Sequence, residues 1–220
     1  MLTAARRHPS AILLFAQLAA LLVYPFLEDS DAGRAILSAL GIGFLALVVV
    51  AVRSSPVLSW VALLLALPAT VLLVIQAMGE YDALLGWSSA LEAAIYFYAA
   101  YALVKYMLAD HEITTDELFA VGATFTLVAW GFAYVFQVVQ AIEPGSFTAA
   151  IDPEAQRTWM ELLFLSFTTL TSTGLSDVTP VEPFARATVM IEQLAGLGYV
   201  ALVVSRLVGL LVLGPRRRAG

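Results

Sequence analysis

Residues 168–180 read TTLTSTGLSDVTP, a polar run between two strongly apolar segments. Five of its first six residues carry a hydroxyl group, and a glycine and an aspartate follow. Backbone that leaves a helix inside a bilayer is tolerated only where protein or water satisfies its N–H and C=O groups. We therefore predict that this run is not helical and that it lines a polar pathway.

The composition is that of an integral membrane protein. Of the 220 residues, 61% are hydrophobic and 13% are charged, a balance that a soluble domain with a polar surface does not have. Because the chain has no cysteine, disulfides and thiolate metal sites are excluded. The formal net charge of −6 does not indicate a charged partner, because the acids lie in loops and the arginines near both ends. We expect contact with the lipid bilayer and no nucleic-acid partner.

Six apolar stretches are long enough to cross a hydrocarbon core about 30 Å thick at about 1.5 Å per residue. The first is too long for the apolar part of a signal peptide, so we interpret it as a retained helix. The second and third are divided only by a short polar break, after which a proline can open the next helix. The six stretches are Ala11–Leu27, Ala35–Val52, Pro56–Met78, Trp87–Leu108, Thr115–Ala141 and Phe184–Leu213.

The basic residues predict the orientation of these spans. With a cytoplasmic N-terminus, most of the basic residues lie on the inner side, and the first two outer loops are acidic. The positive-inside rule then predicts a multi-pass protein of the cell (inner) membrane with both termini in the cytoplasm. The inner basic residues are Arg6, Arg7, Arg53, Lys105 and Arg216–Arg218, and the outer ones are Arg34, Arg157 and Arg186.

Two capping boxes predict where helices begin. Thr114 is followed three residues later by Glu117, and Thr158 by Glu161, each before an apolar run. This spacing lets a threonine hydroxyl and a glutamate each bond a free backbone amide at the start of a helix. The second box predicts a helix of about twelve residues that ends in the polar run. Because that length is too short to span a bilayer, we predict a re-entrant helix.

From about Thr115 to Gly214, the order of long helix, acidic loop, short helix, polar run and long helix resembles the pore module of the potassium channel superfamily. The most specific stretch is 163–186, where FLSFTTLT at 164–171 leads into the filter and DVTP at 177–180 leads out. Similar strings recur in bacterial members with six spans and no cytosolic domain.

The resemblance implies an all-α integral membrane fold with six transmembrane helices. A re-entrant pore helix and a filter loop would lie between helices five and six, as in voltage-gated channels. Residues 1–110 would form a four-helix voltage-sensor-like domain and residues 111–220 the pore domain. It further implies a homotetramer, and we expect no soluble ligand-binding domain in this chain.

By the same resemblance, the ion-conducting filter is Thr171, Ser172, Thr173, Gly174, Leu175, Ser176 and Asp177. Four copies would place hydroxyl and carbonyl oxygens around one axis, where they replace the hydration shell of an ion. This implies a monovalent cation site, for K⁺ or Na⁺, at Ser172, Thr173 and Gly174. A ring of Asp177 carboxylates would raise the local cation concentration. The permeant cations would be K⁺, Na⁺ or Ca²⁺, and we expect no cofactor.

Leu175 and Ser176 depart from the filter of the family, which has tyrosine and glycine there. The second glycine of the family adopts a backbone conformation that costs another residue about 1–3 kcal/mol per subunit. Leu175 lacks the phenol hydroxyl that braces the filter in the family. We therefore expect weakened K⁺ selectivity. The alternative is that neighbouring residues hold Ser176 in the strained geometry and selectivity persists.

The last span contains three candidates for gating or filter support: Glu192, Gly196 and Gly198. The glycines can form a gating bend or allow close helix packing. Glu192 can support the filter from behind, face the cavity, or form a buried pair with Arg186 or a pore-helix hydroxyl. Arg206 is interpreted as an anchor whose charge reaches the inner surface.

The first four spans lack the basic repeat of a voltage sensor. Trp87–Leu108 contains Glu92 and Lys105 but no basic residue at every third position. Steep voltage dependence needs several gating charges per subunit, so we expect none of that kind. The acidic residues between 110 and 117 are interpreted as a solvated linker.

These patterns predict a homotetrameric cation channel that conducts passively. The alternatives are a secondary transporter with a site at the membrane midplane, and a non-conducting or anion-permeable channel homologue. Such transporters often consist of two inverted repeats, each with a broken helix. This sequence has one broken segment and no counterpart in another half, which argues against a transporter. We find no convergent histidine, serine or carboxylate arrangement and expect no enzymatic activity.

Overall fold

The computed structural model describes residues 8–27, 40–41, 43–44, 46–50, 59–78, 84–109 and 114–213. Its elements in chain order are α1 (Pro9–Leu27), α2 (Ser59–Met78), α3 (Leu85–Met107), α4 (Thr115–Ile142), β1 (Phe147–Ala149), α5 (Trp159–Leu170), β2 (Val178–Pro180) and α6 (Pro183–Leu213). The described residues between 40 and 50 are also helical. The ends of the predicted span Ala35–Val52 lie outside the described residues.

Within the described ranges, three helices are long and apolar enough to cross a membrane. They are Pro9–Leu27, Thr115–Ile142 and the segment Pro183–Arg206 of α6. α2 contains a shorter apolar stretch, Trp60–Gln76, and α3 has 23 residues that include two charged side chains. The largely helical fold of a membrane protein is therefore confirmed, and the count of six spans stays a prediction.

Helix α4 is the centre of the bundle, because α1, α3, α5 and α6 all pack against it. Small residues on α4 allow this close approach. A methyl group on Gly131 would lie 3.0 Å from the Phe97 ring of α3, and one on Gly122 would lie 3.0 Å from Leu14 of α1. The result is one core shared by α1 to α5 and a second core between α4, α5, α6 and the two strands.

Both predicted helix starts are confirmed. The Thr158 hydroxyl accepts from the Glu161 amide at 3.3 Å, and the Glu161 carboxylate accepts from the Thr158 amide at 2.6 Å, which completes a capping box. The Thr114 hydroxyl accepts from the Glu117 amide at 3.2 Å. The Glu117 carboxylate pairs with Arg206 of α6 at 3.1 Å. Helix α5, with its 12 residues, is about 18 Å long at about 1.5 Å per residue.

The prediction of a solvated acidic linker is wrong for Asp116 and Glu117, which are both buried. Asp116 accepts hydrogen bonds from the Ser10 amide at 3.1 Å, the Ser10 hydroxyl at 2.8 Å and the Tyr106 hydroxyl at 3.3 Å. Because these donors belong to α1 and α3, the carboxylate joins the starts of α1 and α4 to the end of α3. Residues 110–113 of the same predicted linker lie outside the described part of the chain. The pairing of Arg206 with Glu117 differs from the membrane anchor that we predicted.

A two-stranded antiparallel sheet, which the sequence did not predict, joins the two connections that flank α5. Phe147 pairs with Pro180, Thr148 with Thr179 and Ala149 with Val178. Phe147 and Val178 are buried in the second core. Beyond Pro180, which has no amide to donate, the Val181 amide still donates to the Ser146 carbonyl at 2.9 Å. The sheet fixes the end of the polar run close to the exit of α4.

The capping box of α5 predicts a measurable stability difference. Replacing Thr158 by alanine should lower the free energy of unfolding by about 1 kcal/mol. The Glu161 amide loses the hydroxyl oxygen that accepts its hydrogen bond, and the capping box is broken. Thr158→Ser keeps the hydroxyl and should stay close to the parent protein. Denaturant titration in detergent, followed by circular dichroism, measures both. Equal stability of the alanine and serine variants would contradict this role of the cap.

Candidate functional site

The polar run begins where α5 ends. The amide of Ser172 donates to the Thr169 carbonyl at 2.9 Å, and the amide of Thr173 donates to the Thr168 carbonyl at 2.9 Å. These two bonds, with Ser172 in the left-handed conformation at φ 58°, form a Schellman motif. The loop therefore folds back onto the last turn of the helix before it continues outward.

Gly174 supplies a second left-handed residue, at φ 64°. Its amide also donates to the Thr168 carbonyl, at 3.1 Å. Ser176 is not among the described residues with positive φ, so the alternative in which neighbouring residues hold it in the strained geometry is not what the structure shows. The Ser176 hydroxyl accepts from the Val178 amide at 3.1 Å. In this loop, Ser172 is therefore the residue other than glycine that adopts the left-handed conformation, and its backbone carries the conformational strain.

The amides and carbonyls of this loop are used differently. The four amides of residues 171–174 all donate to carbonyls in the last turn of α5. In contrast, no donor among the described residues contacts the carbonyl oxygens of 171–174. The hydroxyls of Thr171 and Thr173 lie 3.0 Å apart and both reach back to α5 carbonyls. The backbone groups of this segment that are available to bind an ion are therefore carbonyl oxygens.

The loop is open to its surroundings in the single chain. Residues 171–175 and Asp177 are exposed, and Ser176 is half-buried. The side chain of Leu175 is 78% exposed. The seven residues that the sequence predicted as a filter thus lie together on one loop, and six of them are exposed in the single chain.

Ser166 joins the three helices that hold this loop. Its hydroxyl lies 2.8 Å from the Ala129 carbonyl of α4 and also contacts the Glu192 carboxyl oxygen Oε1 of α6. A hydroxyl has one proton and a carbonyl can only accept, so both contacts are hydrogen bonds at once only when Glu192 donates. Glu192 is 0% exposed, and its Oε2 atom has no hydrogen-bond partner.

This arrangement selects among the roles considered for Glu192. Its partner is a hydroxyl of the short helix, whereas Arg186 donates from Nε to the Pro180 carbonyl at 3.2 Å. The carboxyl group therefore lies behind α5 and connects it to α6.

Gly196 and Gly198 have different surroundings. A methyl group on Gly196 would overlap the Leu170 carbonyl at the end of α5, whereas one on Gly198 would meet open space. Close packing therefore requires a glycine at position 196. One turn further, the Tyr199 hydroxyl donates to the Val121 carbonyl of α4 at 2.7 Å, which fixes α6 against α4 beside this contact.

Arg157 and Gln140 position the start of α5, a role that the sequence analysis missed. The Arg157 amide donates to Gln140 Oε1 at 2.8 Å, and Gln140 Nε2 donates to the Arg157 carbonyl at 3.0 Å. The Arg157 guanidinium binds three carbonyls of the preceding loop and Glu161. The signal available in the sequence was a lone arginine directly before a capping threonine, in an otherwise acidic loop.

Comparison with known proteins supports the function of this region. Residues 121–212, which run from α4 into α6 and contain the whole polar loop, match a family model described as Ion channel. The match supports an ion channel. It agrees with the resemblance to the potassium channel superfamily, with a membrane location and with a protein that is not an enzyme. It covers less than half of the chain, and no curated protein and no solved structure matches the sequence.

The two glycines of α6 form a matched pair for mutation. Gly196→Ala should lower the free energy of unfolding by about 1–3 kcal/mol, because the added methyl group forces α6 away from the end of α5. Gly198→Ala should leave it unchanged or raise it by up to about 1 kcal/mol through helix propensity. Denaturant titration in detergent compares them. If both variants behave alike, the contact at Leu170 does not limit packing.

Proposed function

We propose that this protein is a homotetrameric cation channel whose filter is the loop 171–177. The chain would cross the cell (inner) membrane six times, with both termini in the cytoplasm. Helix α5 would enter from the outer side as a re-entrant pore helix. Residues 111–220 would form the pore, with residues 1–110 as a four-helix unit beside it. Conduction would be passive.

The free carbonyl oxygens of residues 171–174 are the main support for a cation. A permeant cation needs oxygen ligands that replace its hydration shell, and this segment presents carbonyls that accept no hydrogen bond from the described residues. An anion would need amide donors, but those of the same four residues already bond to α5. Asp177 adds a negative charge at the outer end of the loop.

The exposed surface around the loop supports assembly of several copies. A polar loop at membrane depth has to be covered by protein or by a water-filled cavity, yet residues 171–175 are exposed in one chain. The adjacent face of α6 is exposed and apolar, as at Ile191, Leu194 and Leu197. Four chains around one axis would cover these surfaces and give the loop a common aqueous opening.

Weakened K⁺ selectivity is proposed from the outer half of the loop. Leu175 extends into the surroundings and makes no polar contact that would brace the loop. Ser176 bonds the Val178 amide without adopting the left-handed conformation. An outer half without a brace and without the glycine of the family would allow wider coordination, which discriminates less well between ions.

The ion preference can be measured in planar bilayers with the purified protein. Under K⁺, Na⁺, Ca²⁺ and Cl⁻ gradients, the reversal potential should follow the cations, and Asp177→Asn should reduce the cation current. Glu154→Gln, the same type of change at an exposed loop residue, should leave it unchanged. A reversal potential that follows Cl⁻, or particles without fourfold symmetry, would contradict the proposal.

The selectivity can be tested by restoring the filter of the family. The double change Leu175→Tyr with Ser176→Gly should raise the K⁺/Na⁺ permeability ratio by about tenfold or more, equivalent to about 1.4 kcal/mol in relative ion binding. Val181→Tyr, which adds a ring just outside the filter, serves as the control and should not change the ratio. A parent protein that is already as selective as a channel with the intact filter would exclude weakened selectivity.

A further inference from the structure

A cavity of about 230 Å³ lies within the helical bundle, and none of the described residues that line it belongs to the polar loop. Its lining includes residues near the ends of α1, α2 and α4 and near the start of α3. This volume is large enough for several water molecules. Six aromatic side chains line it, namely Tyr24, Phe44, Tyr96, Trp130, Tyr134 and Trp159.

Among the described residues that line this cavity, Glu92 is the one acidic or basic residue. It lies on α3 and is 4% exposed, and the Tyr134 hydroxyl is within hydrogen-bonding reach. The ion pairs found within the described residues, Arg157 with Glu161 and Arg206 with Glu117, lie elsewhere. A buried carboxyl group with no cationic partner among the described residues is either protonated or neutralised by a positive charge beside it. A cation in the cavity would supply that charge.

The aromatic rings that line the cavity with this carboxyl group pack against one another. The Tyr96 and Tyr134 rings are stacked at 5.4 Å, the Trp130 and Trp159 rings meet edge to face at 5.4 Å, and Tyr24 lies 5.1 Å from Trp159. Faces of tyrosine and tryptophan attract cations, and several such rings together form the cages that recognise quaternary ammonium groups.

The other polar groups of the cavity are partly satisfied by each other. Gln76 donates to the Ser88 hydroxyl at 2.9 Å, and the Ser89 hydroxyl donates to Gln137 at 3.1 Å. These pairs bring no charge into the cavity. Glu92 therefore remains the group that can neutralise a ligand, and the rings provide the surface that replaces its hydration.

We propose that this cavity binds a small organic cation of the quaternary ammonium type, with Glu92 as its counter-ion and the tyrosine and tryptophan rings as its cage. The volume is below the range of about 300–1,000 Å³ that is usual for drug-sized ligands, so the site selects small cations. The proposal concerns the helices beside the loop, and it does not require the loop to conduct.

Binding can be tested with choline and its uncharged isostere, 3,3-dimethylbutan-1-ol. The full chain is placed in nanodiscs of phosphatidylglycerol, which contain no choline headgroup, and both ligands are titrated by calorimetry. Choline should bind saturably and at least tenfold more tightly than the alcohol. Equal binding of the two, or no saturable binding of choline to folded protein, would overturn the proposal.

Matched variants test the residues. Glu92→Gln should weaken choline binding at least tenfold without changing the affinity for the alcohol, whereas Glu154→Gln at an exposed position should bind choline as the parent does. Tyr24→Leu, at the edge of the cage, should weaken choline binding several-fold, and Tyr134→Phe, which keeps the ring, should change it less than threefold. Circular dichroism confirms that each variant is folded. Unchanged choline affinity in folded Glu92→Gln would exclude this carboxylate as the counter-ion.

Discussion

The anchoring of α5 between α4 and α6 is the constraint on which the arrangement of the loop depends. This helix is too short to cross a bilayer, so its position is set by contacts along its length. Its start is held by Arg157 and Gln140 and by the capping box, and its middle by Ser166, which contacts both α4 and α6. Its last carbonyl lies against Gly196. Each contact joins backbone or buried polar groups, and such groups tolerate little displacement because an unpaired buried partner costs about 1–3 kcal/mol.

The way in which α5 ends determines what the loop can offer to an ion. A helix end leaves carbonyls without partners, and here the amides of residues 171–174 satisfy several of them. In this loop, the residues whose amides cap the helix are also the ones whose carbonyls have no donor among the described residues. The left-handed Ser172 and Gly174 make this reversal possible. The cation preference proposed for the loop therefore follows from helix capping, before any side chain is considered.

Local patterns in the sequence predicted the elements, and contacts between distant residues decided the site. Hydropathy and the two threonine caps gave the helices with bounds close to those of the structure, because both signals arise within a few residues. The burial of Asp116 could not be predicted in this way, since its donor Ser10 is 106 positions away. The partner of Glu192 is 26 positions away, and the need for Gly196 depends on a carbonyl of another helix. The left-handed conformation of Ser172 was not predicted, because it results from the Schellman motif that closes the end of α5.

Glu92 and Glu192 show why an ionisable residue in an apolar helix cannot be assigned a role from sequence alone. Both lie in helices with few charges, and both are almost completely buried. Glu192 contacts a hydroxyl group of the neighbouring helix and is not among the residues that line the aromatic cavity. These contacts indicate a structural role behind the loop. Glu92 opens on a cavity with space for several atoms and with rings that favour a positive charge. Empty volume next to the carboxyl group, more than burial itself, separates a group that positions helices from one that can bind a ligand.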